Sequence, residues 1–170
     1  MNTILITGAS SGIGRATALY FAKKGWNVIA GMRSPENDTE LKDIQNILAS
    51  KFAVEGFSEA LSYELAPQNI IVKLIEPGAV NTAFGRRPTD FYFDDKLEVY
   101  NQYRGQVMQA LGKLKAEMLS PEKVAEVVYL AATNGSNQLR YVVGEDAKAL
   151  INLREKSGDE GFIKQISQMF

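Results

Sequence analysis

The chain has 170 residues, a length that suits one domain with a sizeable core. Its hydrophobic content of 45% and charged content of 23% exclude a disordered chain, and its net charge of −1 gives no electrostatic reason to expect a nucleic acid or an anionic membrane as partner. The lack of cysteine and histidine excludes disulfides, thiolate chemistry and the commonest general base.

The beginning of the chain predicts a strand, a glycine turn, a helix and a second strand. The first strand is Thr3–Thr7, the helix is Arg15–Lys24 and the second strand is Asn27–Ala30. The turn Gly8-Ala9-Ser10-Ser11-Gly12-Ile13-Gly14 points the unpaired N–H groups and the positive dipole end of the helix at a bound phosphate. Its three glycines let a diphosphate approach the backbone. The pattern predicts the first unit of a dinucleotide-binding fold.

The end of the second strand indicates which dinucleotide binds. Met32 and Arg33 follow this strand, and neither is acidic. An acidic residue here binds a free ribose 2′-hydroxyl, whereas a basic residue pairs with a 2′-phosphate. Because the guanidinium fork of arginine suits a phosphate, the sequence favours NADP over NAD as cofactor. The alternative is that Arg33 is a solvated surface residue.

The next segment predicts an unusually long helix. Ser34-Pro35-Glu36 has the composition of a helix start. From Asp38 to Leu65 apolar residues recur at helical spacing without a proline, until Ala66-Pro67 ends the pattern. One helix over this range has about 28 residues and is roughly 42 Å long, more than twice the usual length.

The rest of the chain also alternates strands and helices, which predicts an α/β fold with a parallel sheet and helices on its faces. A lid-like, irregular and then helical segment, residues 83–118, carries many aromatic residues. The other predicted elements are a buried strand Ile70–Ile75, a loop Glu76–Thr82, a helix Lys123–Thr133 capped by Ser120-Pro121-Glu122 and ended by Asn134-Gly135, a strand Arg140–Gly144 and a mostly helical tail Glu145–Phe170.

Three segments resemble motifs of the short-chain dehydrogenase/reductase family. The run TGASSGIG, Thr7–Gly14, resembles its cofactor loop, and Ala49–Phe57 looks like the second half of its catalytic helix. Pro77–Thr82 is similar to the P-G-x-V-x-T loop that follows the sixth strand of the family. The motifs occur in family order and cover residues 1–45 and 49–146. The resemblance implies a Rossmann-like, doubly wound parallel sheet.

The middle of the family pattern is absent. About 90 residues are missing, at roughly 30 residues for each strand and crossover, and the catalytic serine lies among them. Lys51 matches the lysine of Y-x-x-x-K, but Ile47 stands where the family has tyrosine. A junction near residues 47–49 explains both the isoleucine and the long helix, which is expected to bend near Ile47–Ser50. Strands 1, 2, 6 and 7 of the family sheet 3-2-1-4-5-6-7 remain, and either strand 6 pairs with strand 1 or the fold is unstable.

The resemblance also implies roles for individual residues. Lys51 is the remaining catalytic residue and binds the nicotinamide ribose, although a solvated helix lysine is an equal alternative. Thr82 and the Val80 backbone hold the carboxamide. The implied cofactor-binding residues are Gly8, Ser10, Ser11, Gly12, Ile13, Gly14, Arg33, Lys51, Pro77, Gly78, Val80 and Thr82.

Two functions stay open after these considerations. The first is an NADP(H)-dependent oxidoreductase that acts on a carbonyl or secondary alcohol, with weak or absent activity because the catalytic serine and tyrosine are missing. The second is an inactive NADP-binding or dimer-partner remnant, or a deletion product without function. Residues 1–146 are expected to form the NADP-binding domain and residues 147–170 a helical tail.

The expected surroundings of the protein follow from the same sequence. It shows neither a leader sequence nor an apolar stretch of about 18 residues, so we expect a cytoplasmic protein without a membrane span. A small-molecule substrate is expected if the chain is active. No nucleic-acid partner is expected, and a homo-oligomer stays open.

Overall fold

A computed structural model describes residues 1–31, 44–82, 101–102, 105–106, 109 and 118–168, and for residues 44–50 it describes the backbone only. Parallel strands alternate with helices along the described chain, so the predicted Rossmann-like α/β fold is confirmed. The elements are β1 (Thr3–Thr7), α1 (Gly12–Lys23), β2 (Asn27–Gly31), α2 (Ile44–Leu65), a 3₁₀ helix (Ala66–Gln68), β3 (Leu74–Pro77), α3 (Pro121–Thr133), β4 (Arg140–Val143) and α4 (Glu145–Ser167).

The described strands form two separate parallel sheets of two strands each. Strand β1 pairs with β2, and β3 pairs with β4. Strand β3 corresponds to strand 6 of the family and β1 to strand 1, and they do not pair, so the first of the two expected alternatives, closure of strand 6 onto strand 1, does not occur. The reason lies in the helix layer, where α1 covers β1 and β2 while α3 covers β3 and β4. Packed helices lie about 8–10 Å apart, roughly twice the strand spacing, so the sheets beneath them stay apart.

Helices α1 and α3 meet around one fully buried aromatic ring. The ring of Phe21 lies 5.1 Å from that of Trp26 and 5.0 Å from that of Tyr129, both in edge-to-face geometry. Ala16 of α1 and Ala125 of α3 are also buried, and their small side chains let the two helices approach closely. Burial of a phenylalanine ring contributes about 1.5–3 kcal/mol, so this contact is a main source of the cohesion between the two sheets.

The face of the first sheet that points away from α1 is open. Leu5 of β1 is 66% exposed and Ile29 of β2 is 52% exposed, whereas Ile4 and Ile6 lie half-buried on the α1 side. A doubly wound sheet carries helices on both faces. The described part of the chain therefore keeps the helix layer on one face of this sheet and leaves apolar strand residues accessible on the other.

The predicted buried strand Ile70–Ile75 is wrong in its first four residues, and the strand extends instead through Glu76 and Pro77, which were predicted as loop. Strand β3 begins only at Leu74, and the side chains of Ile70 and Ile71 are about half exposed. Leu74 pairs with Arg140, the first residue of β4, so the residues before Leu74 have no described strand beside them. An apolar run indicates a strand but does not supply the neighbour that buries it.

Helix α2 runs without interruption through the predicted junction, from Ile44 to Leu65. The earlier part of the predicted helix, including the Ser34 start, lies outside the described residues. The phenyl side chains of Phe52 and Phe57 are 73% and 66% exposed, so these two aromatic residues of α2 bury little apolar surface.

Arg140 connects α2 to the second sheet through two carboxylates. Its guanidinium lies 2.6 Å from Glu59 Oε2 on α2 and 3.2 Å from Glu76 Oε1 on β3. Desolvation by burial raises the pKa of Glu76, with a further contribution from the nearby charge of Glu55, while Arg140 acts in the opposite direction. The arginine therefore supplies the charge that this partly buried carboxylate requires.

Helix α3 begins two residues before the predicted start at Lys123 and has the predicted end at Thr133. Ser120 Oγ accepts a hydrogen bond from the Lys123 N–H at 3.3 Å and so caps α3. Helix α3 ends at Asn134-Gly135, and the predicted tail forms α4, whose helical geometry is interrupted at Gly158 with φ +66°.

A polar cluster surrounds the hydroxyl of the buried residue Tyr141, at the end of the second sheet where its strands begin. Lys73 Nζ and Asn134 Nδ2 each donate to the Tyr141 oxygen at 3.0 Å, and Ser136 Oγ lies 3.1 Å from it. The hydrogen bond from Lys73 is the main cause that lowers the pKa of Tyr141 to about 8. The cluster stabilises a phenolate because all three neighbours can donate to it.

We expect this tyrosine to make stability depend on pH. The folded chain loses the phenolic proton near a pKa of about 8 and the unfolded chain near about 10, so between these values the unfolded state binds more protons and stability rises with pH. Urea denaturation between pH 7.5 and 10, with phenolate absorbance at 295 nm, measures both effects. Tyr141→Phe removes the rise, while Tyr63→Phe keeps it. A wild-type chain in which no tyrosine titrates below pH 9 contradicts the expectation.

Candidate functional site

The glycine turn after β1 has the backbone geometry that only glycine adopts easily. Gly8 and Gly12 have φ angles of +68° and +53°, in the left-handed region. Gly14 is required for a different reason: a Cβ placed on it would lie 2.8 Å from the carbonyl carbon of Gly8. Helix α1 therefore begins directly against the end of β1. The Ala9 N–H donates to the Gly31 carbonyl at 3.1 Å and ties the turn to the end of β2.

The N-terminus of α1 favours an anion. Its N-cap residue, Ser11, is extended, and its hydroxyl makes no capping hydrogen bond to the described helix. The first turn of α1 carries no acidic side chain. The first backbone N–H groups of a helix have no partner within that helix, and the helix dipole adds partial positive charge at this end. Ser10, Ser11 and Ile13 thus lie on a turn that suits a phosphate.

The loop after β3 forms the second part of the site. The Gly78 N–H donates to the Val143 carbonyl at 2.9 Å, which continues the pairing of β3 with β4. The next amide, that of Ala79, donates to Asp146 Oδ2 on α4 at 2.7 Å. These bonds fix the start of the loop, just after Pro77.

Leu119 holds the other half of this loop. Its N–H donates to the Ala79 carbonyl and its carbonyl accepts from the Asn81 N–H, both at 2.8 Å, so that Val80 forms an isolated parallel bridge with Leu119. The Thr82 N–H then donates to the Val80 carbonyl at 2.8 Å, which closes a tight turn. The backbone from Gly78 to Thr82 is therefore fixed by hydrogen bonds to β4, α4 and Leu119 and by one hydrogen bond within the turn.

The glycine turn and this loop meet in space. A Cβ placed on Gly12 would lie 3.4 Å from Thr82 Cγ2. A cleft of about 230 Å³ opens where they meet. Its lining residues are Gly12, Arg15, Ala16, Asn81, Thr82, Pro121 and Glu122. Two motifs that are 70 residues apart in the sequence thus form one site.

Other predicted site residues are not part of this cleft. Lys51 lies on α2 with an exposed side chain and is not among the lining residues. Arg33 lies outside the described residues, as do Tyr92, Tyr100 and Tyr103 of the predicted lid.

No described tyrosine near Lys51 on α2 is prepared for acid–base catalysis. Ile47 precedes Lys51 by four residues on the helix and has no titratable proton. The Tyr63 hydroxyl donates a hydrogen bond to Glu59 Oε1 at 3.0 Å, and this hydrogen bond raises the pKa of Tyr63. A general base needs the opposite shift, toward the working pH.

The residues present therefore fit one half of a nicotinamide dinucleotide site better than the other. The helix N-terminus that carries no side-chain cap suits the diphosphate. The loop from Gly78 to Thr82 has most of its backbone groups bonded within the protein. On α2, the residue four positions before Lys51 is Ile47, which cannot supply the proton that hydride chemistry requires.

Sequence reasoning missed two residues that build the site, Leu119 and Asp146. Leu119 falls between the predicted lid and the predicted helix cap, and Asp146 is the last residue of the predicted NADP-binding domain. The available signal was weak: Asp146 follows a strand and a glycine, in the run Val143-Gly144-Glu145-Asp146. Such a position indicates the carboxyl end of a parallel strand, where sites of this fold class lie.

The strand, glycine turn and helix arrangement and the position of the cleft define a Rossmann-like α/β protein. A family profile described as short chain dehydrogenase matches residues 2–47 and 47–90. An uncharacterised oxidoreductase of Schizosaccharomyces pombe is 37% identical over 114 residues, which cover 67% of this chain and 47% of that protein.

Solved structures show the same fold. A short-chain dehydrogenase from Streptomyces avermitilis superposes with a TM-score of 0.65 at 19% identity, covering 98% of each chain. A short-chain dehydrogenase from Mycobacterium paratuberculosis bound to NAD superposes with a TM-score of 0.57 at 16% identity, covering 87% of this chain and 98% of that one.

The chain belongs to the short-chain dehydrogenase family, whose members are oxidoreductases. It spans about half the length of the curated relatives it matches. The two profile matches meet at residue 47, consistent with an internal deletion that removes the middle strands together with the catalytic serine and tyrosine. Within the described ranges, none of the helices combines the length and the apolar character that crossing a membrane requires.

Two glycine substitutions test whether α1 contacts β1 as described. Gly14→Ala places a methyl group against the Gly8 carbonyl, so we expect a loss of about 1–3 kcal/mol in the free energy of unfolding, measured by urea denaturation. The matched control is Gly56→Ala, at a helical position with open space around it, where we expect a gain of about 0.5–1 kcal/mol. Equal stability of Gly14→Ala and the wild-type chain is incompatible with this contact.

Proposed function

We propose that this chain binds a nicotinamide dinucleotide, NADP(H) in preference to NAD(H), between the glycine turn and the loop from Pro77 to Thr82. The proposal depends on the close approach of Gly12 to Thr82, where a Cβ on the glycine would lie 3.4 Å from the threonine methyl. This approach joins an anion-binding helix terminus to the loop that, by resemblance, holds a carboxamide. A family member with NAD bound supports the ligand class.

Each part of the ligand has its own set of residues in this proposal. The turn at the start of α1 binds the diphosphate through backbone N–H groups, and Arg33 pairs with the 2′-phosphate. Lys51 binds the nicotinamide ribose, and the loop after β3 holds the carboxamide. The proposed binding residues are Gly8, Ser10, Ser11, Gly12, Ile13, Gly14, Arg33, Lys51, Pro77, Gly78, Val80 and Thr82.

The chain lacks more of the residues that catalyse the reaction than of those that bind the cofactor. When bound, the cofactor supplies or accepts a hydride. The protein must then move a proton at the substrate oxygen, and Ile47 stands where the family has the tyrosine that does so. A placed acid or base accelerates such a step by roughly 10²–10⁴-fold. We therefore assign oxidoreductase activity toward a carbonyl or secondary alcohol, at a weak or undetectable rate.

An inactive nucleotide-binding or dimer-partner role is the second candidate. It is favoured by the short span of the chain relative to its relatives and by the exposed apolar residues of β1, β2 and α2. Large exposed apolar patches mark interaction surfaces in soluble proteins. The two candidates share the cofactor site and differ in turnover.

Cofactor preference tests the binding part of the proposal. We expect NADPH to bind with energy transfer from Trp26, and Arg33→Ala to weaken NADPH binding about tenfold while NADH binding is unchanged, because only NADPH carries the 2′-phosphate. Arg154→Ala, which removes an exposed arginine of α4, is the matched control. Equal weakening for both cofactors removes the assigned role of Arg33, and absence of binding by folded protein at millimolar cofactor refutes the proposed site.

Restoring the missing tyrosine tests the chemical part. We expect absorbance at 340 nm to stay near background for the wild-type chain with a panel of carbonyl substrates. Ile47→Tyr, which places a phenol four residues before Lys51, is expected to raise the rate about 10²-fold. Ile47→Phe is the matched control without a hydroxyl, and a second change, Lys51→Ala, is expected to abolish the gain. Wild-type turnover as fast as that of Ile47→Tyr contradicts the assigned cause of weak activity.

A further inference from the structure

Asp146 reaches from helix α4 to the loop that follows β3. It lies in the first turn of α4, and its Oδ2 accepts the Ala79 N–H at 2.7 Å. The side chain is only partly exposed. Asp146 and Ala79 are 67 residues apart in the sequence, so the bond joins two elements that the chain does not place together locally.

Two glycines make room for this carboxylate. A Cβ placed on Gly78 would collide with the carboxylate of Asp146, and a Cβ on Gly144 would lie 2.5 Å from its Oδ1. The Gly144 position is also close to Leu119, whose Cδ1 would lie 2.9 Å from that Cβ. The carboxylate of Asp146 therefore lies against the backbone of both glycines, and a side chain at either glycine would displace it.

The bond completes the fixation of the loop. The Ala79 N–H is held by Asp146, and the Ala79 carbonyl accepts from the Leu119 N–H at 2.8 Å. With both polar backbone groups of Ala79 bonded, the following turn from Val80 to Thr82 has one defined direction, toward Gly12. A hydrogen bond to a charged acceptor is among the stronger kinds in proteins, so its loss frees the loop.

We propose that Asp146 is a positioning residue that holds the loop from Gly78 to Thr82 in the shape that binds the nicotinamide carboxamide. This inference rests on the proposed function, because it concerns the same cofactor site. Asp146 acts through Ala79 and does not itself touch the ligand. Its effect is therefore confined to ligands that carry the nicotinamide group.

A simpler role would be stabilisation of α4, since an acidic residue in the first turn of a helix interacts favourably with the helix dipole. Glu145 offers a matched comparison, because it lies in the same turn, is 91% exposed and pairs only with Lys148 among the described side chains. Asp146→Glu separates the two roles as well, because it keeps the charge at the helix terminus but lengthens a side chain that has no room between the glycines.

The experiment compares two ligands by calorimetric titration of the full chain: NADPH and 2′-phospho-ADP-ribose, which has the same diphosphate and ribose groups but lacks nicotinamide. We expect Asp146→Ala and Asp146→Glu to weaken NADPH about tenfold and to leave 2′-phospho-ADP-ribose within about twofold. We expect Asp146→Asn to bind NADPH almost as tightly as the wild-type chain, because its amide oxygen still accepts the Ala79 N–H. Glu145→Ala should change neither affinity.

The outcomes distinguish the inference from the proposed function. Equal losses for both ligands, or unchanged NADPH binding in Asp146→Ala and Asp146→Glu, overturn the positioning role while the cofactor site stands. If Asp146→Ala does not fold, the comparison of Asp146→Glu with Asp146→Asn decides in the same way. A folded wild-type chain that binds neither ligand overturns the proposed function and this inference with it.

Discussion

The packing of helix α1 against helix α3 determines the arrangement of the other described elements. It buries Phe21 between Trp26 and Tyr129, and it holds together two sheets whose strands do not pair with each other. The glycine turn lies at the start of α1, and the loop from Gly78 to Thr82 lies close to the start of α3. Helix packing brings the two halves of the candidate site near each other, and the hydrogen bonds of the loop to Asp146 and Leu119 direct it toward Gly12.

The separation of the two sheets has a specific physical consequence. Helices α1 and α3 pack together, but within the described residues no strand pairs between β1 and β3. On the face of the first sheet that points away from α1, Leu5 and Ile29 are accessible to solvent. An open strand edge is prone to pair with other chains.

Binding and chemistry depend on different parts of this fold. The phosphate end of the site needs only one strand, one turn and one helix, all of which are local in sequence and intact. Proton transfer needs a tyrosine one helical turn from Lys51, and that turn contains Ile47. In the proposed function, cofactor binding and proton transfer therefore have separate structural requirements.

The sequence by itself determined the local features of this protein. The strand Thr3–Thr7, the Ser120 cap and the α/β alternation depend on neighbouring residues, and the structure confirms them. Only the tertiary structure decided that β1 and β3 stay unpaired, that Ile70 and Ile71 remain half exposed, and that Asp146 holds Ala79. Strand pairing, side-chain exposure and the Asp146–Ala79 hydrogen bond all depend on which element lies beside a residue. That neighbouring element comes from a distant part of the chain. Periodicity and motifs specify an element, whereas its partner is specified by packing.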